Sequence, residues 1–366
     1  MPGPILNVAV LGCGEVAQCV HLPTLLFQSD RYKAVALCDI SQQSLRHCGS
    51  RFHIPEASQF ADLAFMLESS LSIDLVVILT ADQYHAEQVI QCADAGTHVL
   101  IEKPMAQTFP EAEAIEEARK RNGVVIFVGY MRRFAPALAL LKADIEGKQI
   151  RYVRVRDIIG KNPFFTSQAG MFLKYFHDFP PGASAELAKR KRANAEEVLA
   201  RRGLTRQDEE SWVHLGCLGS HDLSAMRDVL GMPRKCSFAS RSGEESPKWW
   251  SAIFDYGDFN ALYEMAIDNV AIFDAHIEIY TDDSRVKVQY DTPFVKGLPI
   301  KLTIQKNLEN GAFSEQVIRP TYIDPYTIEY GKLYEAIVNG NAYKTTPSDA
   351  QNDLMLSNMI MEALVE

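Results

Sequence analysis

Paired cysteines, long apolar runs and surplus positive charge are all scarce in this 366-residue chain. The seven cysteines (Cys13, Cys19, Cys38, Cys48, Cys92, Cys217, Cys236) are odd in number, contain no C-x-x-C pair and lie mostly inside apolar segments. That excludes a small disulfide scaffold and fits reduced thiols in a cytoplasmic protein. No uncharged apolar stretch approaches the roughly 18 residues that span a bilayer, and no basic region precedes the first apolar run. Neither a transmembrane helix nor a secretory signal is expected. Lys plus Arg is 37 against 47 Asp plus Glu, a formal net charge of −10. Such a balance repels phosphate backbones and anionic lipids, so no nucleic-acid and no membrane partner is expected. Repeats and low-complexity tracts are lacking too, and 47% hydrophobic residues exclude a disordered tail protein.

What is present is enough chain for two domains, at about 100–200 residues each. Residues 7–13, 34–38, 74–80, 98–101 and 124–128 are short apolar runs of the kind that lie buried on both faces in a parallel sheet. Between them, 83–95 and 110–121 have helical spacing and glycine-type stops at Gly96 and Asn122-Gly123. This βαβ series predicts an α/β, doubly wound nucleotide-binding sheet over residues 1–128. Beyond it, 151–158, 250–256, 259–267, 273–280 and 284–290 alternate with period two and predict an antiparallel sheet in an α+β domain, 129–366. Helices are expected at 324–339 and 347–364.

An insert at about 160–212 interrupts the second domain. Its residues 181–210 hold 13 charged side chains, with Lys189-Arg190-Lys191-Arg192 among them, and read as a solvated helix projecting from that domain. Phe164-Phe165 through Phe179 could form a lid or a loop packed on itself. Trp249-Trp250 reads as core or association surface.

Gly12-Cys13-Gly14-Glu15-Val16-Ala17 matches G-x-G-x-x-(G/A) between a strand and a helix. Gly12 permits the tight turn, Gly14 lets backbone approach a pyrophosphate, and Ala17 allows close packing, while the helix start offers N–H groups. Asp39 ends the second strand, where a carboxylate accepts hydrogen bonds from an adenosine ribose. The same charge opposes a 2′-phosphate, so NAD is expected and NADP is the lesser candidate.

Further motifs follow in order: His21-Leu22-Pro23, Thr80 with His85, Glu102-Lys103-Pro104, Tyr130-Met131-Arg132-Arg133-Phe134, Gly219-Ser-His221-Asp222 and Thr346-Pro-Ser-Asp-Ala350. Together they resemble the glucose-fructose oxidoreductase / inositol dehydrogenase / MocA family, and Gly129–Phe134 looks most like its inositol dehydrogenase branch. The resemblance implies an oxidoreductase that exchanges hydride between nicotinamide C4 and a secondary alcohol or ketone of a sugar, cyclitol or related ring. It implies Lys103 near the reacting oxygen and His221 as proton relay. Thr80, His85, Glu102 and Lys103 would join the glycine turn and Asp39 around the cofactor. Tyr130, Arg132, Cys217, His221 and Asp222 would meet substrate.

In the family an aspartate commonly stands four residues before the histidine; here that position is Cys217, and a thiol is a weak acceptor. His214, Cys217 and His221 share one ideal helical face and raise a zinc site as rival, but ligands over two turns close a tetrahedron poorly, and no metal is expected. A homodimer or homotetramer through the C-terminal sheet is expected. The alternatives are a non-catalytic dinucleotide sensor or corepressor, an enzyme using NAD transiently in glycoside elimination, and a reductase of a specialised biosynthetic pathway.

Overall fold

A computed structural model describes residues 3–199, 204–242 and 249–364. The apolar runs become Leu6–Leu11 (β1), Tyr32–Cys38 (β2), Gln59–Phe60 (β3), Leu75–Ile78 (β4), His98–Glu102 (β5) and Ile126–Gly129 (β6). All pair in parallel, in the order β3-β2-β1-β4-β5-β6. Parallel neighbours need crossovers, and helices such as Gln42–Phe52, His85–Asp94 and Phe109–Asn122 supply them. The last of these starts on a Thr108/Glu111 capping box and stops at Gly123, φ 64°. Strand order reverses between β1 and β4, so ligands are expected at the carboxyl ends of these strands. β1 ends at Leu11, two residues before the sequence limit, because Gly12 turns at φ 97° and donates its N–H to the Cys38 carbonyl at 2.8 Å.

The second sheet contains Ile150–Gly160 (β7), Lys235–Ser242 (β8), Trp249–Asp255 (β9), Asn260–Asp268 (β10), Phe273–Thr281 (β11), Ser284–Tyr290 (β12), Lys301–Asn307 (β13) and Phe313–Ile318 (β14). Their order is β14-β13-β12-β11-β7-β10-β9-β8, antiparallel throughout except for the parallel pair β7 and β10. Along β7, Val153, Val155 and Asp157 are buried, while Arg154 and Arg156 on the opposite face both pair with Glu264. β8, β13 and β14 were not anticipated. They lie at or near the sheet edges, where half-exposed strands can carry Lys, Gln, Glu and Ser and lose the apolar alternation that marks inner strands.

The chain forms two compact units, and the first contains more than its first 128 residues. Unit one holds 1–129, 171–209 and 329–351; unit two holds 130–170, 210–328 and 352–366. A single boundary near residue 128 misses two returns of the chain. The charged helix, Ala183–Leu199, therefore belongs with the first unit rather than projecting from the second. Arg190 holds it there by bonding Glu87 at 3.0 Å and lying 4.4 Å over the Tyr84 ring. In the second unit Trp250 is buried and Trp249 exposed, and Phe165 packs edge-on against Phe273. The final helix, Pro347–Glu362, is capped by Thr346, whose hydroxyl accepts the Asp349 N–H at 3.2 Å.

Candidate functional site

The two glycines of the nucleotide turn are glycine for different reasons. At Gly12 the positive φ excludes most side chains, and a Cβ would stand 2.7 Å from the Leu79 carbonyl oxygen. At Gly14 a Cβ would meet no atom within 4 Å. Nothing in the fold requires glycine at position 14, and the space beside it is open. Beside it the Cys13 N–H donates to Asp39 Oδ2 at 2.6 Å, and the Ser41 N–H to Asp39 Oδ1 at 2.7 Å. Burial pushes the Asp39 carboxyl up against the pull of these two bonds, and the net direction is upward. An open glycine turn, a helix start with Glu15, Val16 and Ala17, and a carboxylate closing β2 fit a dinucleotide.

The ends of β4 and β5 carry the next group. The Thr80 hydroxyl donates to Gln88 Oε1 at 2.5 Å. Buried His85 places Nδ1 2.7 Å from the Pro104 carbonyl and Nε2 3.2 Å from that of Thr80. Both partners are acceptors only, and an imidazole N–H donates to a carbonyl there, between the loop after β5 and the end of β4. Glu102 is buried, accepts the Lys103 backbone N–H at 3.2 Å and meets His21 Nε2 at 3.1 Å. His21 Nδ1 meets the Tyr330 hydroxyl at 2.9 Å. Burial raises the Glu102 carboxyl, but the His21 bond and charge, with Lys103, outweigh it and hold it low. A fixed anion thus lies directly behind half-buried Lys103 at the carboxyl edge of the sheet. Glu102 is expected among the residues around the cofactor; its side chain bonds within the protein. His21 and Tyr330 were missed as supports of Glu102, although His21 stood in a motif.

In the second unit a helix starts at Arg206–His214, widens into a π-turn at Leu215–Gly219 and continues as Ser220–Leu230. A π-turn shifts the phase of a helix, so His214, Cys217 and His221 lose the common face that an ideal helix predicts. Among the described residues no group of three or more His, Cys, Asp or Glu side chains could hold a metal. Cys217 Sγ lies 3.7 Å from the His214 carbonyl, and His221 is half-buried. Gly219 is small because a Cβ would come 3.0 Å from the Tyr263 hydroxyl.

Arg132 is buried between two carboxylates, with Nη1 2.5 Å from Asp222 Oδ2 and Nη2 3.2 Å from Asp157 Oδ1. Its guanidinium lies 5.2 Å from the Tyr290 ring centre and 5.5 Å from that of Phe273. Burial drives the Asp222 carboxyl well above the usual range; Arg132 opposes the rise and Asp157 adds to it. Tyr130 is buried and hydrogen-bonded to Asp353, which pairs with Arg227. The family resemblance implies Tyr130, Arg132 and Asp222 as substrate contacts. In the structure these three brace the second unit from within. Asp157, their missed partner, gave no signal beyond an acid in an inward position of β7.

These features define a class: a Rossmann dinucleotide-binding protein with a lysine at the end of β5 and a separate, mostly antiparallel sheet. Residues 6–130 match the family model described as an oxidoreductase family with NAD-binding Rossmann fold. The matched family is the one that the motifs resemble. It is 31% identical over 181 residues to the scyllo-inositol 2-dehydrogenase (NAD(+)) of Bacillus subtilis, covering 48% of this chain and 52% of the relative. A scyllo-inositol 2-dehydrogenase (NADP(+)) of the same organism is 24% identical, with 99% and 94% covered. The chain spans about half the length of the first curated relatives it matches, 53% for the myo-inositol 2-dehydrogenase of Thermotoga maritima. A 3-ketoreductase from Actinomadura kijaniata, solved in complex with NADP, shares the fold at TM-score 0.73 and 16% identity, over 99% of this chain and 98% of that one.

Proposed function

We propose that the protein is an NAD-dependent oxidoreductase acting on a secondary alcohol, or the corresponding ketone, of a sugar, cyclitol or related hydroxylated ring. The observation that carries this reading is Lys103, at the end of β5, backed by a buried Glu102 that His21 holds ionised. The names of the inositol dehydrogenase relatives support the substrate class. NAD, when bound, accepts or supplies the hydride. The Gly12–Ala17 turn holds its pyrophosphate, Asp39 its adenosine ribose, and Thr80, His85 and Glu102 shape the remainder.

Hydride leaves a carbon only as the proton leaves its hydroxyl, so oxidation needs a base and a cation at the same oxygen. Lys103 donates to that oxygen and stabilises its developing negative charge. His221 takes the proton in oxidation and returns it in reduction. Tyr130, Arg132 and Asp222 position the second unit's helix and strands; the Cys217 thiol, a weak acceptor beside the His214 carbonyl, does not replace a carboxylate. In this reading the first unit binds dinucleotide and the second binds substrate and associates. The ladder of Arg154, Arg156, Glu264, Asp274 and His276 on its sheet forms the face of a homodimer or homotetramer, which light scattering tests. None of the seven cysteines is in a disulfide, in keeping with a cytoplasmic setting.

The test is Lys103→Met. It keeps NADH binding and lowers kcat by about 10²–10³, the scale of one transition-state contact. Undiminished turnover would refute the assignment.

A further inference from the structure

The segment 171–179 returns to the first unit and fastens itself at the helical turn after β1 and at the helix Gln42–Phe52 after β2. Gln18 donates to the Lys174 carbonyl and accepts its N–H, each at 3.0 Å. The Tyr175 hydroxyl donates to Glu15 at 2.5 Å, and the Phe176 ring packs on His47. Asp178 then reaches the start of the helix Gln42–Phe52. It accepts the hydroxyl proton of Ser41, the N-cap residue, and the Gln43 N–H at 3.0 Å. Ser41 stands between two carboxylates, with its N–H on Asp39 and its hydroxyl on Asp178.

We propose that Asp178 is a specificity-determining residue that, with Asp39, admits NAD and turns NADP away. The proposal rests on the dinucleotide reading above and goes beyond it. A carboxylate at the end of β2 is the ordinary mark of a site that accepts a ribose 2′-hydroxyl, and a 2′-phosphate placed there needs donors or a cation nearby. This chain has such groups in the Ser41 hydroxyl, the Gln43 N–H and Arg46, whose charge acts on Asp178. Asp178 occupies the first two and opposes the charge of the third. A 2′-phosphate carries close to two negative charges at neutral pH and would meet two carboxylates with the donors already taken. The 2′-hydroxyl of NAD carries no charge and needs none of these groups. The same negative charge contributes to the upward push on Asp39. No glycine motif encodes this device, because Asp178 lies far along the chain from the turn it serves.

The test is direct binding of NADH and NADPH to the purified full chain, read by nucleotide fluorescence, for wild type, Asp178→Asn and Asp178→Ala. The wild type binds NADH more tightly than NADPH. Both variants tighten NADPH roughly tenfold, the scale of one charge-assisted contact, and change NADH by less than about threefold. Melting curves without nucleotide show that the variants are folded. Equal affinity of the wild type for both nucleotides overturns the proposal, as does NADPH binding unchanged by both substitutions while NADH still binds. A wild type that binds neither nucleotide overturns the dinucleotide reading itself.

Discussion

Gly12 and Gly14 stand two residues apart in one motif, and the structure predicts that alanine at each fails in a different way. At Gly12 the new Cβ would lie 2.7 Å from the Leu79 carbonyl oxygen and 2.8 Å from its carbon, with φ at 97°. A left-handed backbone costs a non-glycine residue about 1–2 kcal/mol, and moving β4's backbone aside adds to that. With a shift of about 2–4 °C per kcal/mol for a unit of this size, Gly12→Ala lowers the melting temperature by roughly 5 °C or more without ligand. At Gly14 the Cβ meets nothing, so Gly14→Ala melts within about 1 °C of wild type, as a neutral surface change does. The methyl projects instead into the space assigned to the pyrophosphate, where losing close backbone approach costs at least tenfold in NADH affinity, about 1.4 kcal/mol. Differential scanning fluorimetry with and without NADH measures both quantities on each variant. A Gly14→Ala protein that binds NADH like wild type would refute the ligand explanation of that glycine. A Gly12→Ala protein that melts like wild type would refute the steric one.

Two further substitutions test the buried charges. His21→Ala removes the group that holds Glu102, leaves a buried carboxylate short of a partner, and costs about 3 kcal/mol in a thermal melt at pH 7. Because the folded state holds Glu102 below its usual value, its contribution is present above about pH 4.5 and is lost as pH falls through the folded value. The gap between His21→Ala and wild type therefore narrows in acid, and a gap that widens there would contradict the pairing. Asp222→Asn tests the opposite sign. The Asp222 carboxyl is raised, so the folded state keeps a proton that the unfolded state gives up, and stability is lost as pH rises from about 4 toward the folded value. Asparagine has no carboxyl to titrate while Asp157 still pairs with Arg132, so the stability of the variant relative to wild type rises as pH rises from about 4. A variant less stable at pH 8 than at pH 5, relative to wild type, would show that Asp222 is ionised.

The first sheet was legible because strands apolar on both faces, separated by helical stretches with glycine stops, have few other arrangements. That the glycine turn, Asp39 and Lys103 stand at strand ends was legible because those offsets are local. What the sequence concealed is non-local or not apolar. Edge strands β8, β13 and β14 lack the alternation of inner strands. Segments 171–209 and 329–351 return to the first unit through contacts such as Gln18 with Lys174 and His21 with Tyr330, which no local pattern announces. Arg132 reads equally as an anion binder or an ion pair until the inward face of β7 supplies Asp157. The π-turn at Leu215–Gly219 has no sequence signature, and an ideal helix through it misplaces His214 and Cys217 relative to His221.

The central claim is hydride exchange with a hydroxylated ring. It is tested most directly by incubating the purified protein with NAD and a panel of inositols and aldoses, following absorbance at 340 nm and the mass of the product. The account predicts NADH formation and a product two hydrogens lighter with at least one of these rings, and loss of both signals in Lys103→Met. Tight NADH binding with no turnover on any ring in either direction, together with a specific protein partner, would contradict it and favour a dinucleotide sensor.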